Sequence, residues 1–469
     1  MRGSLGRLLL IVGGLTFVVA VAAVDARATY GARTSADEPQ YLLTALSLGN
    51  DLDLDISDEI ENDEFLPFHE INLNQQTIPL NEDGQRISPH DPLLPMVLAI
   101  PMALGGWVAA KVALAVLGAL TAALTLWVAV RRFGIDQRVA ALVVGSAFVA
   151  PPLTSYANQV YPELPAALCV VAAFAALTGP VDRRSTVVTV VAVVALPWLA
   201  VKYAPVAAVL ALALLWRLRS DRRELNGVLA AFAVMGIAYL LLHQRIYGGW
   251  TVYAAGDHFV DGELLVVGRD PQYLARSRRL LGLLVDRGFG LGAWTPSLLL
   301  LPAALTGLVR RRMPGTALLV STFLVGWAVA TWVALTMQGW WWPGRQVVVV
   351  LPLGVIAMAL LADRVRALLW PMVGATLLGT ASWLWLVFEA STDRRTIIVD
   401  FEETANPWYR LWSRVLPQMR DPGLGDWLLY AGWGVLLVAT CVVTWRRLAS
   451  EPSAEPQPAS AISSVAAGR

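Results

Sequence analysis

The chain has 469 residues, 57% of them hydrophobic and only 15% charged, with a mean hydropathy of +0.58. A water-soluble protein of this size carries charge on about a quarter of its residues, so a soluble globular body is excluded. The net charge is +1 and no basic stripe stands clear of the apolar blocks, so nucleic acid is excluded as a partner.

The apolar residues come in long blocks. A helix needs about 17–25 of them to cross a bilayer. A closed barrel would show alternation, which these blocks lack. The pattern predicts an all-α, polytopic helical bundle in the membrane. Candidate spans fall at 8–24, 106–130, 138–150, 162–178, 186–200, 203–216, 225–243, 297–309, 315–336, 345–361, 367–388 and 427–445, about twelve. The stretch 93–104 is too short for a crossing and reads as a re-entrant or interfacial helix. The first block, with Arg2 and Arg7 before it and small residues up to Ala28, shares features with a signal peptide. Its apolar run is long for one, and the charge pattern requires it as a retained span.

Arg131-Arg132, Arg183-Arg184, Arg217–Arg223, Arg310–Arg312, Arg364 with Arg366, and Arg446-Arg447 fall on alternate connections. The positive-inside rule makes those connections and both termini cytoplasmic. Residues 1–448 then form one transmembrane domain, and 449–469, rich in Pro, Ser and Ala, read as a disordered cytoplasmic tail. The long connections 25–92, 244–296 and 390–426 lie on the extracytoplasmic side, where a site facing that compartment would be built. The first holds fifteen of the 35 acidic residues against three Arg. Cys169 and Cys441 sit inside apolar blocks and read as small hydrophobes.

Within the first loop, Asp37-Glu38-Pro39 precedes the short apolar stretch from Tyr41, which suits a helix along the membrane surface. Two adjacent carboxylates there suit a general base or a cation ligand; a solvated loop with Asp37 as a helix N-cap is the competing reading. Asp51, Asp53 and Asp55 alternate with leucines, as divalent-cation ligands or as a solvated acidic turn. His90 and Asp91, before Leu93-Leu94-Pro95, either orient a phosphate or a proton or cap the following helix. Glu163, two residues after Tyr161, and Lys202 sit at outer ends of spans; a charge at such depth usually faces a cavity or a partner, with snorkelling as the alternative. Trp340-Trp341-Trp342 reads as an interfacial belt, and Arg345 opens a span on the side where positive charge is disfavoured. Its planar fork matches phosphate oxygens. Arg276, Arg278, Arg279 and the Asp286-Arg287-Gly288 segment precede the eighth span.

The segments SADEPQYLLTALSL, YPELPAAL, GLLVDRGFGLGAWTP and WWWPGRQVVVVLPL, in this order, resemble the bacterial GT-C glycosyltransferases of the protein O-mannosyltransferase and aminoarabinose transferase branch. The likeness covers most of 1–389, with no counterpart to a large C-terminal soluble domain. It implies a GT-C-type bundle in the bacterial inner membrane, with an extracytoplasmic active site. The implied donor is a sugar on a polyprenyl phosphate, and the absence of a Gly-rich nucleotide loop fits that. The acceptor would be an extracytoplasmic lipid, glycan or protein, and transfer would invert the anomeric carbon. In this resemblance Asp37, with Glu38 beside it, is the catalytic base or a metal ligand, so a divalent metal is a candidate cofactor. Arg345, Lys202 and Arg287 would bind the donor phosphate, with Tyr41, His90, Asp91, Tyr161 and Glu163 around the substrates. The rival readings are a transporter or lipid flippase, with polar groups along a path, and a scaffold protein.

Overall fold

The computed structural model describes residues 2–449 apart from 75, 78–83 and 256–270. The expected tail lies outside the described residues except for Ala449, as does part of the second long loop. Among the described residues there are helices and turns, and β-pairing is limited to isolated bridges such as Ala32 with His69 and Asp55 with Ile87. The all-α expectation holds.

The main helices are α1 (Arg2–Val21), α2 (Glu38–Asn50), α3 (Ser57–Glu61), α4 (Leu93–Phe133) and α5 (Gln137–Phe148). After them come α6 (Glu163–Leu177), α7 (Arg183–Leu199), α8 (Ala204–Leu218) and α9 (Arg222–Tyr247). The last five are α10 (Leu301–Arg311), α11 (Thr316–Ala328), α12 (Leu351–Arg364), α13 (Leu369–Ser391) and α14 (Leu424–Ala449). Every expected span falls on a helix. Among the described residues, seven helical segments are long and apolar enough to cross a membrane, by length and composition alone. Others of the twelve are short: Pro296–Leu300 and Arg345–Val347 are 3-10 turns that precede α10 and α12, so those windows hold broken helices.

The stretch 93–104 is the first half of α4. Helical geometry fails at Gly105 and at Gly106, whose φ of +63° is left-handed and open to glycine without strain. The chain turns there; the first half meets α2 where Gly49 lies against Ala99 and Ala103, and α4 also packs on α1 and α6. At the centre lies α12, with Leu351 to Ala362 buried throughout and α4, α5 and α10 around it. The outer helices show the reverse. Leu10, Leu241 and Val435 are 78%, 63% and 72% exposed on α1, α9 and α14, a surface that only lipid would cover at low cost.

The connections on one side dock together. Arg27 pairs with Glu70 and with Asp393 at 2.8 Å, Arg33 pairs with Asp25 at 2.6 Å and with Glu70, and Tyr30 donates to Asp400. The Ile397 and Ile398 N–H groups donate to the Arg27 and Ala28 carbonyls. The first and third long loops thus form one cover over the ends of the helices.

Candidate active site

Four charged side chains meet where α2, α6, α8 and α12 begin. Arg345 donates from Nη2 to Asp37 Oδ2 at 2.7 Å and from Nε to Glu163 Oε1 at 2.9 Å. Lys202 Nζ donates to the same Glu163 oxygen at 2.8 Å and to Gln346 Oε1 at 3.1 Å. Glu163 is fully buried and Arg345 is 8% exposed. Two carboxylates therefore balance two cations, which is what keeps such groups tolerable in apolar surroundings. The guanidinium lies between the faces of Tyr161 and Trp341, 4.0 and 4.8 Å from the ring centroids.

Each position has a local cause. Asp37 stands at the N-cap of α2, yet its side chain makes no capping bond. It turns to Arg345, and Gln76 Nε2 donates to its Oδ1 at 3.3 Å. The N-cap reading of Asp37 does not hold. Gly344, with φ +85°, supplies the left-handed turn that sets Arg345 at the start of its 3-10 turn. Glu163 opens α6, and Lys202 lies in the 3-10 turn Val201–Tyr203 between α7 and α8.

Asp37, Tyr41, His90, Asp91, Lys202 and Arg345 all line one cavity of about 650 Å³. Val333, Ala334, Leu335 and Pro205 give it an apolar wall. His90 stacks on Tyr41 with centroids 4.5 Å apart, and its Nε2 lies 2.9 Å from Gln76 Oε1. Asp91 makes no capping bond to α4. Its Oδ2 accepts from the Val201 N–H at 2.9 Å, and its Oδ1 accepts from the Tyr239 hydroxyl at 3.1 Å, with His243 Nε2 at 3.3 Å. Asp91 thus fixes the turn that carries Lys202. Tyr161 reaches the cluster from below, its ring under Arg345 and its hydroxyl on the Ser35 carbonyl.

Burial alone would push the Asp37 carboxyl up. The charge of Arg345, then of His90, with hydrogen bonds from Arg345 and Gln76, overrides it and holds the carboxyl well below the usual carboxylate range. Asp37 is ionised in this arrangement.

Tyr161 and Glu163 stand behind the cavity lining in contact with Arg345, and two expected site residues join neither the cavity nor the cluster. Glu38 points the other way, because neighbouring helical positions do not share a face. Its Oε1 accepts from the Ser35 N–H and hydroxyl, and its Oε2 accepts from the Val160 N–H at 2.8 Å. Burial pushes its carboxyl up, opposed by the charge of Lys111. Lys111 in turn donates to the Arg33 carbonyl at 2.8 Å, so Glu38 and Lys111 hold the loop on α4. Arg287 likewise faces elsewhere, donating to the Ser413 and Leu416 carbonyls with Asp426 at 3.6 Å. It anchors the third long loop. The three tryptophans do not form one belt either. Trp342 is fully buried against Trp294, Trp383 and Phe401, while Trp340 is exposed. Arg276 and Arg279 donate to the Trp332, Ala334 and Leu335 carbonyls and brace the cavity's apolar wall.

Asp37 belongs to no group of three metal-ligating side chains among the described residues, and Arg345 and Gln76 hold its two oxygens. The residues around it are those of an ion-pair site, and they do not fit a divalent metal. Gln76 and Gln346 are the members that sequence reading missed. Both are neutral, and only the adjacency of Gln346 to Arg345 hinted at either.

The bundle, its broken α4 and the docked loops define a polytopic helical membrane protein. Among the solved structures it matches are two of ArnT from Cupriavidus metallidurans, one bound to undecaprenyl phosphate and one in the apo state. The first aligns with a TM-score of 0.52 at 16% identity and the second with 0.51 at 17%. Each alignment covers 93% of this chain and 72% of the other. At that identity the likeness shows the fold. No protein-family model and no curated protein matches the sequence.

Proposed function

We propose that the chain is an integral membrane glycosyltransferase of the bacterial inner membrane. It moves a sugar from a polyprenyl-phosphate donor to a hydroxyl of an extracytoplasmic acceptor. The observation that carries this reading is the convergence of Asp37, Arg345 and Lys202 on one cavity with an apolar wall. A lipid-linked sugar phosphate needs all three features: an apolar surface for the first prenyl units, cations for the phosphate, and a base beside the anomeric carbon. The fold supports it, since one of the matched ArnT structures has undecaprenyl phosphate bound.

In this mechanism the acceptor oxygen attacks the anomeric carbon and the carbon–oxygen bond to the phosphate breaks on the opposite face, which inverts the centre. Asp37 takes the acceptor proton. Arg345 and Lys202 receive the charge that develops on the departing polyprenyl phosphate. The resting ion pairs make the two roles interdependent. An arriving phosphate competes with Asp37 for the Arg345 fork, and each contact Arg345 gives up relieves the depression of the Asp37 carboxyl. Asp37 becomes a stronger base as the donor seats. The Asp91 tether keeps Lys202 within reach of Glu163 and the cavity throughout.

The positive-inside pattern of arginines supports cytoplasmic termini and a cavity that opens on the outer side. The test is sugar release by purified protein from a panel of polyprenyl-phosphate sugars. Release from at least one donor, lost in Asp37→Asn, is expected. No release from any donor by folded protein would favour a transporter.

A further inference from the structure

The acidic lobe between α2 and His90 has no part in the chemistry above. Asp51 is the C-cap of α2, and Asp58 and Glu59 open α3. One carboxylate oxygen from each of these three residues lies within 4.8 Å of the others. Asp51 and Asp58 are exposed, but Glu59 is only 2% exposed. Its Oε2 is shut off from solvent and has no hydrogen-bond partner. An ionised carboxylate is costly in such a place unless a cation meets it. The end of α2 adds to the demand, because the C-terminal carbonyls of a helix carry partial negative charge.

We propose that Asp51, Asp58 and Glu59 bind a hard divalent cation, calcium by their ligand class, at the C-terminal end of α2. Three carboxylates without sulfur or imidazole select calcium, magnesium or manganese over zinc or copper. Calcium tolerates an irregular shell best, and the two exposed carboxylates leave room for waters to complete it. The alternating Asp53 and Asp55 are not the ligands that their spacing suggested. Asp53 Oδ1 accepts from the Ser47 hydroxyl and the Asp55 N–H, and Asp55 Oδ1 accepts from the Ser57 and Arg86 N–H groups. These bonds stitch the lobe to the segment that leads to His90. The cation therefore staples the end of α2 remote from Asp37 to α3, while the Asp55 bonds tie that lobe to the chain leading to His90. This inference does not rest on donor chemistry, and its readouts are independent of activity.

The experiment uses the full-length protein, purified in detergent and stripped with EDTA. Thermal unfolding is followed with and without about 10 mM calcium chloride, well above the weak affinities of extracellular sites. Calcium is expected to raise Tm by at least about 2 °C at about pH 7.5. Glu59→Gln is expected to unfold at higher temperature than the parent in EDTA and to lose the calcium response. Asp58→Asn should lose the response as well, while Asp63→Asn keeps it. No shift in the parent, or an equal shift in Glu59→Gln, overturns the site.

Discussion

The Asp37–Arg345 contact carries the sharpest prediction. Arg345→Gln removes two charge-assisted bonds, of 2.7 Å to Asp37 and 2.9 Å to Glu163, and a cation held between two rings. Glu163 keeps Lys202, so the group left without a cation in contact is Asp37, whose side chain is only 19% exposed. Removing one partner of a buried ion pair costs about 3–5 kcal/mol, and the partial exposure of Asp37 places the loss toward the lower end. Asp37→Asn alone should cost less, because Arg345 keeps its bond to Glu163. The double variant should recover much of this, giving a coupling of about 1–3 kcal/mol in a double-mutant cycle. The pH dependence adds a second reading. Arg345 depresses the Asp37 carboxyl, so the pair stabilises the parent above the unfolded Asp value, and that contribution is lost as pH falls toward the folded one. The gap in Tm between parent and Arg345→Gln should therefore be widest near neutral pH and narrow below about pH 4. Thermal unfolding of the four proteins in detergent, at two pH values, decides it. Additive losses, or a gap that ignores pH, would refute the ion-pair account of the site.

Other positions separate roles that lie close in sequence. Glu38→Ala leaves the Ser35 and Val160 N–H groups without their acceptor and the buried Lys111 without its nearby opposite charge, so about 2–4 kcal/mol of stability should be lost while turnover per folded molecule is kept; a loss of turnover without a loss of Tm would return Glu38 to the catalytic role. Arg287→Ala should leave the donor KM unchanged and lower Tm, because its bonds go to the Ser413 and Leu416 carbonyls; a raised KM at unchanged Tm contradicts that. Gly344→Ala forces a side chain into φ +85°, and its Cβ would meet Leu291 Cδ2 at 2.6 Å and Pro152 Cγ at 3.1 Å. The strain of about 1–2 kcal/mol should move Arg345 and cut turnover more than Tm.

The helices were legible because lipid enforces long apolar runs, and each expected span is helical. What stayed hidden depends on packing. Nothing local says that 93–104 continues into the next span through Gly105 and Gly106, or that Trp342 is buried while Trp340 is not. In the site, Asp37, Glu163, Lys202 and Arg345 stood out one by one, because a charge at the end of an apolar block is costly without a reason. Their pairing was not readable, since Arg345 meets residues 308 and 182 positions away. Adjacency misled for Glu38, which the helix turns toward Lys111. Gln76 and Gln346 carry no charge and left no mark, although each holds a charged member in place.

The central claim is that Arg345 grips the donor phosphate and Asp37 performs the proton transfer. It is tested most directly by measuring donor binding and turnover separately, on a polyprenyl-phosphate sugar that the parent protein cleaves. Asp37→Asn should bind the donor at least as well as the parent and lose turnover by roughly 10²–10⁴-fold. Arg345→Gln should lose binding as well as turnover. Parent-like turnover in Asp37→Asn, or parent-like donor binding together with parent-like turnover in Arg345→Gln, would contradict the account.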